Sequence, residues 1–451
     1  VPTIDPELLA DAAAYINEWV DYRRWATRTP GVSVAIASDS GIVLSAAHGH
    51  ADVGQNVGLR VDHAFRIASH SKTFTATAIM LLVQEGKLRL DDRLSDWISW
   101  LGETGGASGR ATLRQVLSHS AGIIRDGLDC DFWALEHGFP DRSDLEELAR
   151  TALSVLPVNQ RFKYSNIGYG LLGLVIEAAA GMPYNRFVTE RIVDPLGLEC
   201  TGPELDERAE VRLATGYTAD RRGREREPLP HAPTGALSAA AGFYATAEDL
   251  CRYAAAHFLG AGSLLSDDSK REMQHPVWEL EDGANHYGLG FHLAKVAGRP
   301  HIGHSGGFPG FATTTRIDPA ERLVVVALTN CTDGPAEELT AGMLTIIQRA
   351  LKSGRRSAEE PSKARFVGRF EGMSQVRDIA RFGDDLVAFL PESIDPAQGL
   401  AELRVIGPDR LRIEAAEGTD SPGEDVLYEF DSAGPAKAIR WAGHTLRRSA
   451  I

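Results

Sequence analysis

The chain has 451 residues, 43% of them hydrophobic, 24% charged and 7% aromatic, with a formal net charge of -15. That length exceeds what one hydrophobic core usually serves, so two domains are expected, and the composition excludes the disordered and fibrous classes. The acidic balance, with no Lys/Arg stripe to offset it, excludes nucleic acid as a natural partner and leaves small-molecule or peptide substrates.

The four cysteines, Cys130, Cys200, Cys251 and Cys331, lie far apart without a CxxC pair, which argues against a zinc ribbon, a redox motif or a disulfide framework. They are expected as buried free thiols. No apolar run reaches the roughly 20 residues of a membrane-spanning helix, so no membrane span is expected. The opening VPTIDPELL is neither basic nor followed by a signal-type apolar core. A cytoplasmic location is the default expectation, and the missing initiator Met leaves room for a leader already removed.

In chain order, Thr3 or Asp5 can cap a helix with Pro6 in its first turn, where Leu9, Ala13, Ile16 and Val20 recur at helical spacing. GVSVAIASDSGIVLSAAHG (31–49) reads as a β-hairpin turning at Asp39-Ser40-Gly41. Residues 70 to 260 are mostly helical by pattern, and Thr246 with Asp249 opens a helix predicted to run through Phe258. FATTTRI and RLVVVALTN flank Asp318-Pro319-Ala320-Glu321 as a second hairpin, and a helix from Pro335 to Leu351 follows. Sheet at both ends of this region with helices between them predicts an α/β domain over 1–352. Residues 353–364 read as a linker. From 365 to 451, short alternating runs separated by turns predict a small β-barrel or sandwich.

The chemistry concentrates in three places. In Ile67-Ala68-Ser69-His70-Ser71-Lys72-Thr73-Phe74, Ser69 and Lys72 are three apart at a helix start and share a face. A serine attacks only after losing its proton, and a lysine takes that proton only when burial and the positive end of the helix disfavour its ammonium. Lys163-Tyr164-Ser165-Asn166 presents a phenol to carry a second proton and an amide to bond the substrate. Tyr15-Ile16-Asn17 has the same spacing but sits within the N-terminal amphipathic helix, where it reads as structural. The third place is HIGHSGGFPGF (301–311), glycine-rich where a packed strand would not be. His301 and His304 face opposite sides of such a strand, and His304, followed by Gly306-Gly307, is the one expected at the cleft. Gly303-His304-Ser305-Gly306-Gly307 also satisfies the G-x-S-x-G nucleophile elbow, but that requires a helix after the serine, and strands are predicted there.

Taken together, Ser69-His70-Ser71-Lys72-Thr73-Phe74, Tyr164-Ser165-Asn166 and His304-Ser305-Gly306 resemble the three motifs of the serine β-lactamase and penicillin-binding protein superfamily. Specifically, they resemble its class C-like branch of D-aminopeptidases, carboxylesterases and D-Ala-D-Ala carboxypeptidases. TLRQVLSHSAGI (112–123), VDPLGLECTG (193–202), GFYATAEDL (242–250) and YGLGF (287–291) extend the resemblance over about residues 10 to 350. It implies a β-lactamase-like antiparallel sheet flanked by helices with a helical subdomain. It further implies Ser69 as acylated nucleophile, Lys72 as base, Tyr164 as proton shuttle, and Asn166, His304, Gly306 and Gly307 as substrate-binding residues. The N–H groups of Ser69 and Gly307 would form the oxyanion hole, and neither cofactor nor metal is expected. The activity implied is hydrolysis of amide, peptide (D-amino-acid-containing) or ester bonds. The alternatives are a β-lactamase or penicillin-binding carboxypeptidase, and a non-catalytic ligand-binding or assembly protein of the same fold. Many relatives carry Lys where this chain has His304, and a neutral imidazole cannot meet a substrate carboxylate with charge, which turns the expectation away from β-lactams. The tail resembles the lipocalin-like domains of some peptidases in this family, implying control of access to the cleft or homo-oligomer assembly.

Overall fold

A computed structural model describes residues 4–449 apart from 105, 207–208, 210–211, 222–223, 281–282, 355–360, 417–421, 432–433 and 435. The chain divides into two compact units, one of residues 29–337 and one formed by residues 1–28 together with 338–451.

The first unit is organised by an antiparallel sheet. Its strands are β1 (Gly31–Ser38), β2 (Gly41–Asp52), β3 (Val57–Gly58), β8 (Trp278–Glu279), β9 (His286–Tyr287), β10 (His292–Val296), β11 (Arg299–Phe308), β12 (Phe311–Asp318) and β13 (Leu323–Thr329). Their order is β3-β2-β1-β13-β12-β11-β10-β9-β8. Two short pairs lie outside it: β4 (Phe65–Arg66) with β7 (Tyr244–Ala245), and β5 (Gly216–Tyr217) with β6 (Pro228–Leu229). The sequence-distant first and last hairpins meet at the β1–β13 pairing, Val34 opposite Ala327. Both central strands are buried along nearly their whole length, not on alternate residues, and the helix Ala247–Ala255 packs on them. That helix has the predicted Thr246 cap, whose hydroxyl accepts from the Asp249 N–H at 3.2 Å, but it ends at Ala255, short of Phe258.

A single turn of 3₁₀ helix, Ala68–His70, leads from β4 into α2 (Ser71–Gln84), in which Ser71 through Leu82 are all buried. A helix buried on every side must hide its polar groups as well. The Thr75 hydroxyl accordingly donates to the Ala239 carbonyl at 2.6 Å, and the Thr77 hydroxyl bonds His257 at 3.0 Å. The helix Asn166–Ala180 packs beside α2. Between Gly181 and Thr246 the chain is less helical than its pattern suggested, with short turns and the β5–β6 pair.

In the second unit, β14 (Gly368–Glu371), β15 (Val376–Phe382), β16 (Asp385–Phe389), β17 (Ala401–Gly407), β18 (Arg410–Ala416), β19 (Asp425–Phe430), β20 (Ala436–Trp441) and β21 (His444–Arg448) form a closed barrel. The pairing of Phe370 with Arg448 closes it. Phe366, Phe370, Tyr428, Trp441 and Leu446 belong to its buried core. The N-terminal helix α1 (Pro6–Ala26), capped by Asp5, belongs to this unit: Tyr15 stacks on Phe389 at 4.8 Å and its hydroxyl donates to Asp378 at 3.1 Å. Asp378 also accepts two bonds from the Arg369 guanidinium, at 2.7 and 2.8 Å. The expected linker lies partly outside the described residues, and its end, Pro361–Phe366, is a 3₁₀ turn. Three cysteines are buried and unpaired as expected, whereas Cys130 is exposed, because it sits in the loop before Asp131–Ala134 and not on a core element. Among the described residues, no single helix is long and apolar enough to cross a membrane.

Candidate active site

The site is built where α2 begins. Ala68 has φ +45°, a left-handed backbone uncommon for a residue with a Cβ and worth about 1–3 kcal/mol of strain. The kink delivers Ser69 into a cleft of about 690 Å³, also lined by Arg125, Asp126, Trp133, Tyr164, Tyr287 and His304. β11 runs directly against this kink. A Cβ on Gly306 would stand 2.2 Å from the Ile67 carbonyl oxygen, so only glycine admits that approach, whereas a Cβ on Gly307 would meet nothing within 4 Å.

Around Ser69 the hydrogen bonds are fully accounted for. The Tyr164 hydroxyl donates to Ser69 Oγ at 2.8 Å, and Lys72 Nζ lies 3.2 Å from the same oxygen. Lys72 Nζ also donates to Asn166 Oδ1 at 2.6 Å and to the Ala240 carbonyl at 2.9 Å. Both of those are acceptors only, so a neutral amine spends its two protons on them and turns its lone pair to Ser69, the one neighbour able to donate. Burial pushes the Lys72 pKa well below its ordinary value; Asp126 opposes this and Arg125 assists it. The Tyr164 ring, 4.7 Å from Nζ, favours the ammonium too. The same burial pushes the Tyr164 phenol up, against the Ser69 hydrogen bond and Arg125, so at neutral pH it holds its proton.

Asn166 is fixed on both sides. Besides accepting from Lys72, its Nδ2 donates to Asp126 Oδ1 at 2.5 Å, which leaves one amide N–H for a substrate. Asp126 Oδ1 also accepts from the Trp133 indole at 3.0 Å. His304 lines the same cleft, and both its nitrogens are engaged: Nδ1 with the Ser305 carbonyl at 2.6 Å, Nε2 with the Tyr287 hydroxyl at 2.9 Å. His301 lines a separate cavity of about 210 Å³, which His304 also borders, and its Nδ1 donates to the Arg299 carbonyl at 2.9 Å. The seven residues singled out in the sequence, Ser69, Lys72, Tyr164, Asn166, His304, Gly306 and Gly307, therefore converge here. Ser305 of the rival elbow lies within β11, with β12 and not a helix behind it.

Asp126, Trp133, Tyr287 and His119 were not singled out. His119 is buried with φ +58°, and its ring lies 4.3 Å from that of Tyr164 and 4.9 Å from that of Tyr287. Two of the four stand in stretches already noted, His119 in TLRQVLSHSAGI and Tyr287 in YGLGF. YGLGF owes its glycines to packing: a Cβ on Gly290 would lie 2.5 Å from Ala76 Cβ on α2. Asp126 sits in a loop and Trp133 in the single 3₁₀ turn Asp131–Ala134, both too short for any periodicity to mark a side chain for the cleft.

The fold is that of the β-lactamase and penicillin-binding family of serine hydrolases. The Beta-lactamase family matches residues 16–350, and the chain belongs to it. Penicillin-binding protein 4 of Amycolatopsis lactamdurans is 29% identical over 337 residues, 70% of this chain and 85% of that protein. Several other curated relatives are matched over less than half of their own length. Among solved structures, the octameric penicillin-binding protein homologue from Pyrococcus abyssi matches 96% of this chain and 99% of its own, with TM-score 0.67 and 21% identity. D-amino acid amidase from Ochrobactrum anthropi SV3 matches 75% of this chain and 99% of its own, with TM-score 0.64 and 23% identity. At these identities the structural likenesses carry the fold.

Proposed function

We propose that the chain hydrolyses amide, peptide or ester bonds through an acyl-enzyme on Ser69, with D-amino-acid-containing compounds and esters as its substrate classes. The observation that carries this reading is the position of Ser69 Oγ, between an amine driven towards neutrality at 3.2 Å and a protonated phenol at 2.8 Å. Lys72 takes the serine proton as Oγ bonds the acyl carbon, and Tyr164 passes a proton to the leaving group. The Ser69 and Gly307 N–H groups receive the oxyanion, and Asn166 orients the substrate with its remaining N–H. Water then releases the acyl group. The cleft walls carry the carboxylates of Asp126 and Glu337, and the Arg125 guanidinium is paired with Asp126 at 3.0 Å. That balance supports an amine-bearing or uncharged substrate over a carboxylate-bearing one, which places β-lactamase and carboxypeptidase activity second. The amidase named among the similar structures is in keeping with it, and the octameric homologue supports homo-oligomer formation as the assembly to test.

The test is a panel of p-nitrophenyl esters, D- and L-aminoacyl anilides and nitrocefin, run on wild type and Ser69→Ala. Turnover of esters or D-aminoacyl anilides that disappears in the variant supports the reading. Equal rates in the two proteins overturn it, and stable labelling of Ser69 without turnover favours a binding protein of the same fold.

A further inference from the structure

A carbonyl oxygen only accepts, so the 2.6 Å contact between His304 Nδ1 and the Ser305 carbonyl puts a proton on Nδ1. Burial, with Lys72 and His70 nearby, keeps the ring uncharged, so Nε2 is a bare lone pair. The Tyr287 hydroxyl, 2.9 Å away, fills that lone pair as donor. The Tyr287 ring is itself held: it is buried, 4.9 Å from the His119 ring and 5.6 Å from that of Phe162. The backbone that follows is pinned as well, the Leu289 N–H donating to the Met273 carbonyl at 3.0 Å. His304 therefore turns neither charge nor a free N–H towards the cleft.

We propose that Tyr287 is a specificity-determining residue: by capping His304 Nε2 it fixes an uncharged, hydrogen-bond-saturated imidazole on the β11 wall, and so excludes substrates carrying a carboxylate at that side. A carboxylate arriving there meets the His304–Tyr287 pair, which has no donor to spare, in a cleft also lined by the carboxylates of Glu337 and of Asp126, the latter paired with Arg125. From that pair it would receive no compensation for the hydration it loses. Uncharged acyl compounds lose nothing comparable. This inference rests on the hydrolase reading for its substrates but not for its structure.

Two measurements separate it from that reading. The first is the ¹⁵N spectrum of histidine-labelled protein, which needs no activity. His304 should show a protonated Nδ1 and an unprotonated, hydrogen-bonded Nε2, and Tyr287→Phe should shift the Nε2 resonance. The second is the ratio of kcat/KM for an ester to kcat/KM for its match bearing a carboxylate. Wild type should favour the uncharged ester at least tenfold. Tyr287→Phe should cut that ratio about fivefold or more, and His304→Lys, which installs a cation, should cut it further. An Nε2–H on His304 in wild type, or a ratio that stays constant across both variants, overturns the proposal. Loss of activity on every substrate in wild type would instead strike the hydrolase reading and leave the spectrum as the judge of this one.

Discussion

Each unit of the molecule buries a cation, and the two solve the problem in opposite ways. Arg369 is buried in the barrel unit against Asp378, which takes two of its N–H groups and a third bond from Tyr15. There the charge is retained and neutralised by a partner. Lys72 is as deeply buried, yet its contacts are a hydroxyl, an amide oxygen and a carbonyl, with no carboxylate among them. There burial disfavours the charge. Guanidinium cannot give up its proton within the ordinary pH range, whereas an ammonium can, so arginine suits the pair that holds structure and lysine the group that must accept a proton.

The strongest challenge to that contrast is Ser69→Ala, which should lower kcat by about 10⁶-fold, the scale of losing a serine nucleophile, without loss of stability. Next, Lys72→Arg keeps a cation that cannot discharge, and single-turnover kinetics should show acylation slowed by about 10²–10⁴-fold. In the other unit, Asp378→Ala leaves Arg369 buried without its counter-ion and should cost about 3–5 kcal/mol in denaturant unfolding. Lys72→Met sharpens the comparison from the other side, because it removes a buried amine that has no ionic partner. It also leaves the Asn166 Oδ1 and Ala240 carbonyl acceptors without their donor, so the unfolding free energy should fall by about 1–3 kcal/mol, less than for Asp378→Ala, while activity is lost. The smallest effect separates two adjacent glycines. Gly306→Ala must push β11 away from the Ile67 carbonyl, so its kcat/KM should fall about tenfold further than that of Gly307→Ala, whose new methyl group enters open space.

The parts of this account that were legible in the sequence are those set by local rules. Ser69 and Lys72 share a helix face because they are three apart, and Thr246 caps because its hydroxyl reaches the N–H three residues on. The alternating runs of the tail foretold strands, though not whether they closed into a barrel, since closure depends on the pairing of Phe370 with Arg448. The rest depends on distant approach. Asp126 matters because a loop brings it to Asn166, 40 positions later, and Tyr287 because β9 and β11 are held in one sheet. No spacing along the chain encodes either contact.

The pH dependence of Ser69 acylation tests the central claim, that Lys72 is neutral when it acts. The reactive form is the unprotonated amine, so the rate should rise with pH through the Lys72 pKa and then level off. Because burial lowers that pKa, the plateau should be reached well below the ordinary lysine value of about 10.4, and the inflection should vanish in Lys72→Arg. A rate that climbs without inflection to that value in wild type, or a profile that Lys72→Arg leaves unchanged, would contradict the account.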